Sequence, residues 1–304
     1  MIDRPVTVKI DSAKCIGCGA CCQVCPSDTF SIIDGKAVVT GNQSLNCGHC
    51  EAICPTAAIM VQALQNDALR FDTFRVKPDW MAQGAFPLAE LVRLMRSRRS
   101  CRNFKPHPVP LPMLTDLVKI GQTAPSGSNC QAWTFTILST RGAVRQLTEA
   151  VGGFFEKLNR RAENKLLRWV LKWLGRPELD FYYRNYYASV RESITEWRRS
   201  ARDRLFHGAT AVIVVGSRPG AACPKEDALL AAQNILLGAH AMGLGTCLIG
   251  FAVSALAHAP WLKDGLDIPR EESIHAVIAL GFPDENYLRL TGRKPAPVRI
   301  WPKV

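Results

Sequence analysis

The chain is short of acidic side chains and has no long apolar run. Against 38 lysines and arginines stand 26 aspartates and glutamates, giving a formal charge of +12 over 304 residues. The shortfall is uneven: residues 1–65 hold four basic and five acidic side chains, so residues 66–304 carry the whole excess. A field of that sign suits nucleic acid, an anionic membrane, or an anionic cofactor, substrate or partner. Zinc-finger spacing, an RNP motif and a lone basic helix are all missing, so nothing supports nucleic acid. A cofactor phosphate and an acidic partner protein are expected instead.

Ala228 to Leu262 contains no charged residue, but Gln233, Asn234, His240, Gly243, Gly245 and Pro260 interrupt it. That pattern predicts a buried helix over about 226–242 and a short strand Thr246–Ile249, not a membrane span. The start, Met-Ile-Asp-Arg-Pro-Val-Thr-Val-Lys, offers no apolar export run, so a cytoplasmic location with reduced thiols is expected. No G-x-G-x-x-G follows a strand either. Gly243-Leu-Gly245 comes after a helix, so no dinucleotide fingerprint is present.

Cysteine is plentiful by contrast: twelve in all, eight of them between positions 15 and 54. The order is Cys15-Ile-Gly-Cys18-Gly-Ala-Cys21-Cys22-Gln-Val-Cys25-Pro26, then Cys47-Gly-His-Cys50-Glu-Ala-Ile-Cys54-Pro55. The first half matches the C-x2-C-x2-C-x3-C-P run of bacterial iron–sulfur proteins, whose fourth cysteine serves the neighbouring cluster. Three thiolates on a tight loop converge on one cage, and Gly17 and Gly19 let the backbone wrap closely. One cluster is therefore expected on Cys15, Cys18, Cys21 and Cys54. A second is expected on Cys25, Cys47 and Cys50, with Ser44 where its fourth thiol should be. Serine is a harder, more basic ligand than thiolate. The second site is then a [3Fe-4S] cluster, a [4Fe-4S] cluster with serine or water on the odd iron, or a labile site. Cys22 reads as a small buried apolar side chain. Zinc is the competing reading, but it usually takes two C-x2-C pairs about 15–20 residues apart, which seven thiolates in two near-copies fit poorly.

The organisation follows from composition. Residues 1–63 hold the cysteine repeat and short strands Val6–Ile10, Phe30–Ile33, Lys36–Val39 and Ile59–Val61, with a hairpin at Asp34-Gly35. So small a unit needs its metal for part of its stability. Residues 64–85 read as a linker docked through Phe71, Phe74 and Trp80. Residues 86–304 form a larger module, with helices at Leu88–Met95 and Leu111–Gly121 and strands at Trp133–Leu138, Ala211–Val215 and Ile274–Leu280. Within it, 151–207 gives two helical patterns, Leu158 to Trp173 and Tyr183 to Leu205, with basic outer faces. A packed helical excursion, a lid over the site and a membrane-surface helix are the three readings of that stretch.

Three segments of the larger module carry chemistry. Ser97-Arg98-Arg99-Ser100-Cys101-Arg102 concentrates guanidinium groups suited to phosphate, and Arg293-Lys294 adds to them. Pro125-Ser126-Gly127-Ser128-Asn129 offers small hydroxyl and amide groups on a turn. Gly243-Leu-Gly245-Thr-Cys247-Leu-Ile249-Gly250 brings bare backbone close to something flat. In this order they resemble the FMN-dependent nitroreductase family. With the cysteine repeat in front, the chain resembles its ferredoxin-fused branch.

The resemblance implies an α+β fold: a small ferredoxin-like domain, then a nitroreductase-type domain with a mainly antiparallel sheet flanked by helices, as a homodimer. It implies that Arg98, Arg99, Ser100 and Arg102 contact flavin phosphate and ring, and that Arg293 and Lys294 clamp the phosphate. It places Pro125, Ser126, Gly127 and Asn129 on the flavin of the other subunit, and the backbone of Ile249 and Gly250 at flavin N5. Ala132 departs from the family's proline. The helix from Asp227 to Leu237 would pack on its twin. The implied activity is an FMN reductase passing electrons from the clusters to FMN and on to an electrophilic acceptor such as a nitro compound or quinone. Reduced ferredoxin or NAD(P)H would be the donor. A non-enzymatic electron relay or redox sensor, and reductive dehalogenation or flavin modification, are the alternatives. No side chain is assigned as general acid: Tyr182, Tyr183, Tyr186, Tyr187 and His207 read better as packing. Cys101, Cys130 and Cys247 stand beside flavin contacts and read equally as buried thiols.

Overall fold

The computed structural model describes residues 4–65 and 69–301. Residues 1–3, 66–68 and 302–304, which fall in the expected first module, linker and larger module, lie outside the described residues.

The cysteine module is built from three two-stranded ladders. β1 (Arg4–Pro5) pairs with β5 (Gln43–Ser44), β2 (Val8–Ile10) with β6 (Ile59–Val61), and β3 (Phe30–Ile33) with β4 (Lys36–Val39), all antiparallel. Two one-turn helices, α1 (Ala20–Val24) and α2 (His49–Ile53), follow Gly19 and Gly48, both left-handed at φ 75° and 81°. The two halves repeat at a fixed offset, so that Ser44, Asn46, Cys47 and Cys50 take the places of Cys15, Gly17, Cys18 and Cys21. Gly17 (φ 70°) and Asn46 (φ 49°) share the same backbone handedness. At Gly17 only glycine fits, because a Cβ would lie 2.1 Å from the Gly35 carbonyl oxygen.

Beyond the module, Phe71 and Phe74 stack at 4.4 Å, but Trp80 stays 79% exposed and docks nothing. The segment is held mainly by Asp116 of α4 (Leu111–Gly121), which is fully buried. Its carboxylate accepts the backbone N–H of Asp72 (2.9 Å) and Thr73 (2.7 Å) and the Thr73 hydroxyl (2.7 Å). Burial pushes the Asp116 carboxyl up, yet those donors and Lys119 outweigh it and hold it below its ordinary value.

The larger module is a four-stranded antiparallel sheet in the order β7 (Trp133–Leu138), β8 (Ala211–Ser217), β10 (Ser273–Gly281), β9 (Gly245–Leu248). Strand β8 is buried along its whole length, and alternation sorts its side chains. Ala211, Ile213 and Val215 face α4 and α9 (Pro224–Ala241), while Val212 and Val214 face α5 (Arg141–Glu163) and α10 (Gly250–His258). Replacing Ile213 by alanine removes a fully buried side chain, a loss of about 2–5 kcal/mol. The helix expected over 226–242 is α9, started by Pro224 and stopped before Gly243. Among the described residues no helix is long and apolar enough to cross a membrane.

The basic stretch differs from the two helices expected of it. It is continuous with α5, which begins at Arg141 where Thr140 caps the Ala143 N–H. Asn164 turns extended, ends α5 and caps α6 (Lys165–Trp173) through the Leu167 N–H. Tyr186 then breaks the second pattern into α7 (Glu178–Asn185) and α8 (Tyr187–Ser200). Leu205 falls in the loop beyond. The short α11 (Pro260–Asp264) completes the module.

Candidate functional site

The cysteine module encloses two hollows. One is ringed by Cys15, Cys18, Cys21 and Cys54, the other by Cys25, Cys47, Cys50 and Ser44. These are the two sets read from the spacing, serine included. Cys15 Sγ accepts the Ala37 N–H at 3.3 Å and Cys54 Sγ the Ala58 N–H at 3.2 Å. The Cys15 thiol is drawn below its ordinary value by the Ala37 and Gly17 N–H groups. Burial, with neighbouring Cys47 and Cys25, pushes Cys50 up to about 11. Ser44 Oγ accepts the Asn46 N–H at 3.0 Å, as Cys15 sulfur takes the Gly17 N–H in the other half. The serine oxygen thus stands where a thiolate stands in the twin loop. Among the described residues no three ligating side chains close on one point as around a single ion. The donors surround hollows, which fits a multi-atom cage with backbone N–H groups aimed at sulfur. Cys22 borders neither hollow and packs in the module's small core.

The second site is a cavity of about 470 Å³ between the end of α3 (Leu88–Ser97), β9 and residues 283–291. Arg98 and Arg99 line it, with Arg93, Arg96 and His240. The chain runs from α3 along β9: Ser100 bridges Thr246, and the Cys101 N–H reaches the Thr246 carbonyl at 2.8 Å. Gly245 is required there, since a Cβ would lie 2.8 Å from Cys101. Burial and the fields of Arg293 and Arg99 depress the Arg98 guanidinium. Among the described residues Arg98, Arg99, Arg102 and Arg293 form no ion pair, although Arg99 donates to Thr291 at 2.8 Å. Clustered guanidiniums without an ion-pair partner, with Glu285 on the same wall already accepting from Asn103 and Tyr287, fit a phosphate. Ile249 is buried and its N–H reaches the Val277 carbonyl at 2.8 Å, while a Cβ on Gly250 would meet nothing within 4 Å. That leaves bare backbone facing open space, as a flat ring requires.

Of the expected contacts only Arg98 and Arg99 line the cavity; Ser100, Arg102, Ile249, Gly250 and Arg293 do not, and the rest lie elsewhere. Lys294 is exposed on the C-terminal stretch. Pro125, Ser126, Gly127 and Asn129 do not line the cavity. Their loop is fixed by Asp227, which accepts the Gly127 N–H at 2.9 Å and the Cys130 thiol at 3.3 Å. It meets the cysteine module directly. Asn129 Nδ2 donates to the carbonyls of Asn46 (3.0 Å) and Leu45 (3.4 Å), and Arg4 donates to those of Asn129 (2.9 Å) and Ser128. Sequence reading missed this joint, and no local pattern announces a contact between residues more than eighty positions apart.

The tyrosines are structural. Tyr182 donates to the buried Asn159 at 2.7 Å, and burial pushes its phenol well above the usual range. Tyr187 donates to Glu163 at 2.6 Å, Tyr183 lies under the Arg168 guanidinium, and Tyr186 meets Phe251 edge-on. His207 is held below its ordinary value by burial. Burial raises the Cys101 and Cys247 thiols, which leaves them poor nucleophiles.

Thiol cages in front of a helix-flanked antiparallel sheet with a cationic pocket define a two-module redox protein of α+β class. Residues 95–282 match the nitroreductase family, and residues 7–55 match the 4Fe-4S dicluster domain. The chain belongs to the nitroreductase family and is an FMN-dependent reductase carrying a ferredoxin-type domain at its front. Chloronitrobenzene nitroreductase of Comamonas testosteroni is 28% identical over 207 residues, which cover 64% of this chain and 86% of that protein. Iodotyrosine deiodinase of Thermotoga neapolitana is 25% identical over 195 residues, covering 64% and 89%. A nitroreductase with bound FMN from Bacteroides fragilis shares the fold, with a TM-score of 0.53 at 20% identity over 69% of this chain and 98% of that one.

Proposed function

We propose that electrons enter at the clusters of residues 15–54, pass to FMN and leave to an electrophilic organic acceptor, a nitro compound, quinone or similar. The observation that carries this reading is the joint. The loop holding Ser44 and Cys47 is hydrogen-bonded to Asn129 of the flavin-binding module, so the two redox sites belong to one conduit. When bound, FMN supplies the exchange between single-electron input and two-electron reduction of an organic molecule. Cys15, Cys18, Cys21 and Cys54 hold one [4Fe-4S] cluster, and Cys25, Cys47, Cys50 and Ser44 a second [4Fe-4S] or [3Fe-4S] cluster. Arg98, Arg99, Ser100, Arg102 and Arg293 hold the phosphate and offset negative charge on the ring. The backbone of Ile249 and Gly250 backs the ring.

The working unit is a homodimer in this reading. Leu229 and Leu230 are 40% and 46% exposed on α9, and the C-terminal stretch lies open, with Trp301 89% exposed. A second copy covers both and brings its own Pro125–Asn129 loop to this chain's flavin. Reduced ferredoxin, or NAD(P)H over the flavin, is the donor.

Anaerobically purified protein should contain about seven to eight irons and one FMN per chain. Single-turnover assays with a nitrobenzene, a quinone and a haloaromatic then identify the acceptor. Similarity to the deiodinase favours reductive dehalogenation as the second reading, and preferential turnover of the haloaromatic would establish it. A colourless preparation would end both.

A further inference from the structure

Helix α6 carries more apolar surface than the fold buries. At about 100° per residue Leu167 and Leu171 fall on one face, and both are half-buried where the helix packs on α5 and α7. Leu166, Trp169 and Trp173 fall on another, at spacings of three and four, and Leu174 extends the row. That row stays open: Leu166 is 69% exposed, Trp169 64% and Trp173 76%. Two leucines and two tryptophans in one exposed row form the kind of apolar patch that marks a docking surface.

The charges around it have one sign. Between positions 157 and 176 stand seven lysines and arginines and a single glutamate. Lys165 and Lys172 border the row on the side of Trp169, and both are exposed. Arg160 and Arg161 in the last turn of α5, and Arg176 just beyond α6, are exposed as well. Among the described residues these three arginines and Lys165 form no ion pair. The nearby carboxylates are too few to answer them. Asp180 of α7 serves three cations at once, Arg184 at 3.0 Å, Arg168 at 3.6 Å and Lys172 at 4.0 Å. Glu163 accepts the Tyr187 hydroxyl at 2.6 Å, and Glu178 stands exposed at the start of α7.

We propose that this face of α6 docks on a bilayer surface that carries anionic lipid headgroups. The leucines and tryptophans enter the boundary between headgroups and acyl chains, and the lysines and arginines meet lipid phosphate. Nine residues make a helix of about 14 Å, so it lies along the surface and spans nothing. A second copy of the same face would set these cations against themselves across a two-fold axis. A soluble acidic partner would need an apolar groove besides its charge, whereas a bilayer supplies both. This docking rests on neither the clusters nor the flavin.

The test is flotation of the holoprotein with vesicles of phosphatidylcholine alone and of phosphatidylcholine mixed with phosphatidylglycerol. The mixed vesicles should bind it at least about tenfold more tightly, and high salt should release it. Trp169→Ser combined with Trp173→Ser should weaken binding at least about tenfold, with melting temperature, iron and flavin content unchanged because both side chains are exposed. Lys165→Glu combined with Lys172→Gln should remove the preference for the mixed vesicles while leaving the fold intact, since a carboxylate suits the first turn of a helix. Brominated lipid should quench tryptophan fluorescence in the parent and much less in the tryptophan variant. Absence of flotation with the mixed vesicles overturns the proposal. So does flotation that survives loss of both tryptophans, because charge elsewhere would then suffice. Poly-L-glutamate bound as tightly as the vesicles, and lost with the same tryptophans, overturns it in favour of an acidic protein. A tryptophan variant of altered oligomeric state overturns it in favour of a second copy.

Discussion

Ser44 shows how one atom decides a cluster. Its oxygen occupies the place of the Cys15 sulfur in the twin loop and accepts the equivalent backbone N–H. Geometry therefore permits a fourth ligand, while the hardness of oxygen toward iron disfavours it. Ser44→Cys should raise the iron content of aerobically handled protein by about one atom per chain. Electron paramagnetic resonance of the oxidised protein checks it: a three-iron signal present in the parent should vanish. Arg98 is the matching case in the cationic pocket, half-buried among guanidiniums. Arg98→Ala removes a charge-assisted contact of about 1.5–3 kcal/mol, so FMN should bind about tenfold to a hundredfold more weakly. Fluorescence titration of flavin-stripped protein measures it, and unchanged affinity would exclude the phosphate assignment.

At the scale of elements, two buried features control segments that periodicity alone does not. Asp116 ties residues 72–73 to α4. Its carboxyl is held below the ordinary value of 3.8, so the stability it confers is fully present above that pH. It fades as pH falls through the lower folded-state value. Asp116→Ala should cost about 2–3 kcal/mol and expose the 69–86 segment to proteolysis at neutral pH, whereas the parent should resist until acid. The glycine pair of α5 works the other way. Gly152→Ala should stabilise the fold by about 0.5–1 kcal/mol, read as a rise in denaturation midpoint with unchanged m-value. The sequence made α4 and β7 legible to the residue, because prolines, glycines and alternation bound them. It hid the breaks at Asn164 and Tyr186: apolar spacing runs on through both, and only the extended, capping Asn164 and the non-helical backbone of Tyr186 (φ −127°) interrupt the helix. Asp116 was hidden too, since an aspartate on a helix ordinarily faces water.

For the whole molecule, the cysteine spacing and the order of the basic and glycine segments were legible because cluster and phosphate recognition require fixed chemistry at fixed offsets. The joint between modules was not. Arg4 and Ser128 are 124 positions apart, and hydrogen bonds to backbone carbonyls leave no trace in residue type. Yet the joint decides whether two redox modules act as one. Ser128, Asn129 and Gln131 all sit at positive φ, and Arg4 and Asn129 hold that loop against the strand that carries Ser44. Asn129→Ala removes both donations to the cluster loop and leaves every cysteine and the Arg98 pocket intact. Iron content should therefore stay at the parental level, and FMN is supplied to saturation because Asn129 also belongs to the loop that the second copy brings to the flavin. After rapid mixing with dithionite the cluster absorbance should bleach at its usual rate, and the flavin band should follow several-fold more slowly than in the parent. Arg4→Ala should do the same, and the double variant should add little to either, because both act on one joint. Synchronous bleaching in all three would mean that charge crosses elsewhere and that the contact only holds the modules together.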